Sequence, residues 1–210
     1  MNGSHPAGRP AARARLARAL CAILAVAATL FAAPPPARAA TTLYVHPAGD
    51  DANDCLDAAP ARACRTIGAA VAKAPSLATI RVAAGTYREN LQLTKSVTIV
   101  GESREGTTID GGGAGRVVET QGQGAGVQIT LLNLTLQNGS AEQGGGLRNG
   151  AATTLQVRDS AIVGNSASVG GGIYNDGTLR VQRTIITGNQ AAEQGGGIFN
   201  ARSKSLEIFD

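Results

Sequence analysis

From residue 40 onward, apolar residues come in short clusters, alternating with polar ones or β-branched, and glycine, asparagine and other polar residues separate them. Such clusters are too short for helices and predict a succession of short strands joined by turns. Thr79-Ile80-Arg81-Val82, Ser96-Val97-Thr98-Ile99-Val100, Gly126-Val127-Gln128-Ile129-Thr130 and Leu132-Asn133-Leu134-Thr135-Leu136 are of this kind. Asp110-Gly111-Gly112-Gly113 reads as a turn, as does the glycine-rich run across 122–126. One segment, 66–74, differs: Ile67, Ala70, Val71 and Ala74 fall on a single face at helical spacing and predict a short amphipathic helix.

The second half of the chain repeats itself. Gly144-Gly145-Gly146-Leu147-Arg148-Asn149 recurs 26 residues later as Gly170-Gly171-Gly172-Ile173-Tyr174-Asn175, and 25 residues after that as Gly195-Gly196-Gly197-Ile198-Phe199-Asn200. Between these blocks, Leu155-Gln156-Val157 is echoed by Leu179-Arg180-Val181 and Leu206-Glu207-Ile208. Leu134 and Leu136 are echoed by Ile162-Val163 and Ile185-Ile186. A propeller blade needs about 40 residues and four strands, and leucine-rich repeats are denser in leucine. Three short strands per period predict instead an all-β fold, a right-handed parallel β-helix with about 25 residues per coil. Inward residues would stack from coil to coil, Leu147 under Ile173 under Ile198 and Leu155 under Leu179 under Leu206, with Tyr174 and Phe199 facing outward. Asn149, Asn175 and Asn200 would form a turn ladder of hydrogen-bonded amides. Stacks of aliphatic residues need no thick aromatic core, which fits an aromatic content of 3%. The helix at 66–74 reads as the cap that a solenoid requires over its first coil.

Residues 1–39 read as a secretory signal: Arg9 to Arg18 form the positive region, 19–33 the apolar run, Pro34-Pro35-Pro36 the helix breaker and Ala37-Arg38-Ala39 the cleavage pattern. The apolar run is shorter than the roughly 20 residues of a spanning helix, so no transmembrane helix is expected in the mature chain. Cys21 opens that run and does not close it, which argues against lipidation. The expected organisation is a signal at 1–39, a cap at 40–78 and the β-helix at 79–210, with secretion or display at the cell surface. The formal charge of +4 resides in the leader, whose five arginines have no acidic counterpart. Without them no polycationic surface is left to neutralise phosphates, which excludes nucleic acid as a partner.

Cys55 and Cys64 follow the leader into an oxidising compartment and predict a disulfide bracing the cap. A zinc site would need four ligands, and His46 alone lies near as a further donor. The run Asp50-Asp51-Ala52-Asn53-Asp54 with Asp57 offers carboxylates to calcium but lacks the glycine and terminal glutamate of the helix-loop-helix calcium motif. It reads as a solvated turn. No cofactor is expected, calcium being the alternative.

The segment 79–101, with Ala84-Gly85-Thr86-Tyr87-Arg88-Glu89-Asn90 as its specific part, resembles the opening coil of pectin methylesterases and of pectate-lyase-like β-helix proteins. The glycine-rich repeats resemble those of polymorphic outer-membrane proteins and related secreted β-helix proteins. These resemblances imply the fold and leave the activity open. The esterase resemblance implies two catalytic aspartates, oxyanion-stabilising glutamines and an arginine on later coils. Where its Gln-Asp-Thr block should fall, this chain reads Asn165-Ser166-Ala167-Ser168. Arg158 and Asp159, adjacent on one expected strand, would point to opposite faces. Glu142 and Glu193 recur in Ala-Glu-Gln-Gly-Gly-Gly and read as turn residues. With no clustered acid and base, no catalytic residue is assigned. The expectation is a secreted or cell-surface scaffold or adhesion module with polysaccharide or cell-surface ligands; the alternative is a lyase or esterase acting on uronans. After Leu206-Glu207-Ile208 no capping segment follows, which predicts either further coils in a longer gene or end-to-end self-association.

Overall fold

The computed structural model describes residues 1–3, 41–122 and 126–210. The signal and lipidation readings of the leader, and residues 123–125 of the glycine-rich turn, fall outside the described residues. The body from 41 onward is a parallel β-solenoid of five coils. The first coil holds β2 (Ala78–Val82), β3 (Gly85–Arg88) and β4 (Leu91–Leu93). The second holds β5 (Val97–Gly101), β6 (Thr107–Asp110) and β7 (Val118–Thr120). Four strands make up each later coil: β8 (Val127–Leu132), β9 (Thr135–Gln137), β10 (Ser140–Gln143) and β11 (Leu147–Asn149); β12 (Thr153–Arg158), β13 (Ala161–Val163), β14 (Ser166–Val169) and β15 (Ile173–Asn175); β16 (Thr178–Gln182), β17 (Ile185–Thr187), β18 (Gln190–Gln194) and β19 (Ile198–Asn200). β1 (Thr42–Val45) precedes these coils and β20 (Ser205–Phe209) follows them.

Three long faces result. The first is the seven-stranded sheet β1-β2-β5-β8-β12-β16-β20, the second β3-β6-β9-β13-β17 and the third β4-β7-β11-β15-β19. A short corner sheet, β10-β14-β18, lies between the second and third faces in the last three coils. At the same corner the second coil carries the irregular stretch 111–117 instead of a strand.

The expected ladders form. Leu147 pairs with Ile173 and Ile173 with Ile198, while Leu155, Leu179 and Leu206 stack on the first face. Leu147, Ile173, Leu155 and Leu179 are fully buried, each contributing about 1.5–3 kcal/mol of hydrophobic stabilisation. Asn149 donates from Nδ2 to Asn175 Oδ1 at 2.7 Å, and Asn175 to Asn200 Oδ1 at 2.6 Å. Thr120 extends the ladder downward, its hydroxyl donating to Asn149 Oδ1 at 2.9 Å. A second amide ladder runs along the corner. Asn165 Nδ2 donates to Asn189 Oδ1 at 2.9 Å, and Asn165 Oδ1 accepts the Gly139 N–H at 2.8 Å.

The structure corrects several expectations. β10, β14 and β18 are strands where three strands per coil were expected, so Glu142 and Glu193 lie in β10 and β18 and not in turns. Small polar residues on this corner carry no apolar alternation to mark them. The run 132–136 is not one strand: the chain bends at Asn133, with φ 57°, between β8 and β9. Asp159 likewise leaves the strand, turning at φ 49° after Arg158 ends β12, and is held by Arg183 at 2.6 and 2.8 Å.

The segment before the first coil holds more than a helix and a loop, because β1 runs parallel to β2 and extends the first face. The helix, α1 (Ile67–Lys73), buries Ile67, Ala70 and Val71 against the first coil. Thr66 caps it, accepting from Ala69 N at 3.2 Å. Glu89 reaches from the end of β3 to accept the free N–H groups of Ile67 and Gly68 at 2.8 and 2.7 Å. Burial outweighs these bonds and pushes the Glu89 carboxyl above the usual carboxylate range. Lys95 Nζ donates to the carbonyls of Ala72 and Ala74 at the other helix end. Cys55 and Cys64 are bridged and fully buried, their Cα atoms 5.0 Å apart.

Two expectations follow from this architecture. Ile173→Asp places an unpaired charge inside a ladder and costs several kcal/mol, collapsing the β-sheet circular-dichroism signal. Tyr174→Asp, one residue on and facing outward, leaves that signal intact, and equal damage from both would contradict the register. Replacing Cys55 and Cys64 together by serine should lower stability in urea unfolding by about 2–3 kcal/mol, the worth of so short a loop closure.

Candidate functional site

An open groove of about 550 Å³ lies where the second face meets the corner, lined by Arg88, Asp110, Asn138, Ser140 and Ser166 among others. Coil register assembles it. Arg88 ends β3, Asp110 ends β6 and Gln137 ends β9, and the three are direct partners on adjacent rungs. Asn138 follows in the left-handed region at φ 54°, a conformation that asparagine tolerates. Beside it, Gly139 lets the third coil fold closely on itself: a Cβ there would stand 1.9 Å from the Gly145 carbonyl oxygen.

Among the described residues Asp110 is the one carboxylate in the lining, and it is 8% exposed. Its Oδ2 accepts from Gln137 Nε2 at 3.0 Å and Asn138 Nδ2 at 2.8 Å, and its Oδ1 accepts the Gly112 N–H at 2.8 Å. The Gln137 amide, with the bonds from Gly112 and Asn138 and the nearby Arg88 charge, holds this carboxyl below the usual aspartate range against the opposing effect of burial. Among the described residues no second carboxyl stands in the groove with which such a carboxylate could divide acid and base roles. What faces the groove is a hydrogen-bonding set: the exposed guanidinium of Arg88, the Asn138 amide and two serine hydroxyls. Such groups suit hydroxyls and carboxylates of a ligand.

The residues singled out by sequence lie elsewhere. Asn149 and Asn175 are buried inside the solenoid and Asn200 continues their line, so these amides support coil stacking. Asn165 is buried in the corner ladder, which gives the Asn165-Ser166-Ala167-Ser168 stretch a structural use and leaves Ser166 alone facing the groove. In the acidic run, Asp50, Asp54 and Asp57 each accept a backbone N–H two residues on, and Asp51 caps the stretch before α1 through Arg65 and Thr66. Lys73 Nζ donates to the carbonyls of Asp51 and Asn53, so an ammonium already stands where the loop's carbonyl oxygens converge. His46 sits in a turn, its Nδ1 accepting from Ala48 N at 3.0 Å. Arg88, Asp110 and Asn138 were not identified as a site from the sequence. The available signal was positional, since each stands at or just past the end of a second-face strand.

Because Asp110 has a folded pKa below its unfolded value, its contribution to stability is present above the ordinary aspartate range and is lost as pH falls through the folded value. Urea midpoints measured from neutral pH down to about pH 3 should therefore fall less steeply in Asp110→Asn than in the parent chain. Parallel curves would show that Asp110 is not held in this way.

No protein-family model matches the chain, and no curated protein matches it. Among solved structures it is similar to a pectin methylesterase mutant crystallised in complex with a hexasaccharide, at 15% identity and a TM-score of 0.44. That similarity covers 67% of this chain and 48% of the esterase chain, so the match spans about half of the longer protein.

Proposed function

We propose that the chain is a non-catalytic, exported β-solenoid module, a scaffold or adhesion element that holds extended polysaccharide in the groove between Arg88 and Ser166. The observation that carries this reading is the engagement of both Asp110 oxygens by Gly112, Gln137 and Asn138. A groove with this carboxylate and otherwise neutral hydrogen-bonding groups and a guanidinium can bind a sugar polymer but has no acid–base pair to cleave it. Export is supported by the arginine-then-apolar leader and by the buried disulfide, which persists in oxidising compartments.

The test is affinity electrophoresis and calorimetry of the purified chain with polygalacturonate and with a neutral galactan, alongside assays for released methanol and unsaturated products. Binding without turnover is expected. Arg88→Ala should weaken polygalacturonate binding about tenfold, the worth of one charge-assisted hydrogen bond. Sustained turnover would overturn the reading, as would binding unaffected by Arg88→Ala.

A further inference from the structure

The corner between the first and second faces gathers cationic side chains that neither the ladders nor the groove uses. The chain passes from β12 to β13 through Asp159 and from β16 to β17 through Arg183, turn residues one coil apart with φ 49° and 44°. Asp159 N donates to the Gln182 carbonyl and Arg183 N to that of Phe209, so the turns stack. β12 ends at Arg158, which register sets between Leu132 and Gln182. Arg183 grips the Asp159 carboxylate from Nε and Nη2 at 2.6 and 2.8 Å. Those bonds, with the charges of Arg183, Arg158 and Arg104 nearby, hold the Asp159 carboxyl below the usual aspartate range. Three arginines thus stand around one aspartate.

Two of these arginines are committed. Arg183 spends one edge of its fork on Asp159, and Arg104, in the turn 102–106, donates from Nε to Glu105 Oε1 at 3.0 Å. The Arg104 carbonyl accepts the Thr135 hydroxyl at 2.7 Å, which fastens this turn to the third coil. Arg158 is different. Its Nε is buried without a hydrogen-bond partner, and among the described residues its guanidinium joins no ion pair. A buried donor left unpaired loses its hydration and gains no bond in return. The guanidinium is always charged and presents its donors in a fixed plane, so the partner that fits it is an oxyanion. Asp159 and Glu105 balance Arg183 and Arg104, which leaves the corner a surplus of one positive charge.

We infer that this corner is a binding site for one phosphate group, seated on the Arg158 fork with Arg104 and Arg183 beside it. A tetrahedral oxyanion offers acceptors in several directions and takes N–H groups from more than one guanidinium, whereas a planar carboxylate is used up by a single fork. Among the described residues Arg104 keeps its Nη groups and Arg183 its Nη1 for that purpose. Asp159 is a positioning residue, holding the Arg183 fork in place. A surplus of one charge suits an isolated phosphate and gives a polyanion no track to follow, in keeping with the exclusion of nucleic acid. The group is inorganic phosphate or the phosphate of a lipid headgroup, recognised through the same contacts. The site lies at the opposite edge of the second face from Arg88 and does not depend on the groove reading.

The experiment titrates inorganic phosphate into the full chain by calorimetry and by melting at constant ionic strength, with chloride as the control anion. The melting temperature should rise with phosphate, and Arg158→Gln should weaken phosphate binding about tenfold or more. Arg180→Gln, at an exposed ion pair of the first face, and Arg88→Ala in the groove should bind phosphate as the parent does. In phosphate-free buffer Arg158→Gln should be no less stable than the parent, since it removes an unpaired donor; a clear loss would reveal an internal partner and overturn the inference. Phosphate binding that Arg158→Gln leaves unchanged, or that Arg180→Gln lowers equally, would overturn it too. Cosedimentation with phosphatidylcholine vesicles, with and without phosphatidate, separates the sources. Arg158-dependent sedimentation with phosphatidate assigns a headgroup, and binding of free phosphate without it assigns the free ion. Absence of both overturns the inference.

Discussion

Parallel pairing between consecutive coils constrains everything else in this molecule. Each residue of a coil sits about 4.8 Å from its equivalent on the next, so a side chain has to suit a neighbour of its own position as well as its own environment. Leucine and isoleucine meet that demand by dispersion and burial. Asparagine meets it by self-complementarity, since its amide donates in one direction and accepts in the other, as Asn149 and Asn175 do inside the solenoid. Charged residues cannot repeat in this way. They appear on the outer surface in alternating sign between coils: Glu119 with Arg148, Asp159 with Arg183, Arg180 with Glu207 and Asp176 with Lys204. In water such pairs stabilise little, but a like charge in either place would oppose the stacking.

The same logic explains the motif at 85–90. Tyr87 is buried and donates its hydroxyl to the Ala83 carbonyl at 2.9 Å; burial, together with the Glu89 and Glu102 charges, pushes its pKa up to about 12. Glu89 takes the first free N–H groups of α1. Asn90 ties the first coil to the second through the Arg116 carbonyl at 2.7 Å. A sequence resemblance carried by this motif therefore reports how a helix is fastened to the opening of a β-solenoid. Most of it speaks to architecture, and Arg88 is the residue of the motif that lines the groove.

The three faces were legible because their inward positions repeat as apolar residues at a regular period, and the turn amides because they close each repeat. The corner strands were not, since Ser140–Gln143 and its equivalents are held by backbone pairing and show no side-chain alternation. β1 was hidden for a different reason: it has no counterpart in the repeats and is recognised only through its pairing with β2. The groove was illegible because its residues come from four successive coils and 111–117 breaks the period among them. Arg88, Asp110 and Asn138 become neighbours only once register is known. The outward rings at Tyr174 and Phe199 were visible, and what the structure added was their stacking on each other.

The corner between the second and third faces has a consequence for how such a chain can change. A residue inserted within a face would shift every following side chain across the sheet and break the ladders on both sides. At the corner the same insertion meets either the stretch 111–117 or a short strand of small polar residues, and the faces on each side keep their alignment. Length variation is thus tolerated along this edge of the solenoid, the edge that also forms the wall of the Asp110 groove. Ligand preference could drift through gains and losses there while the stacked interior, bound by its own repetition, is inherited unchanged.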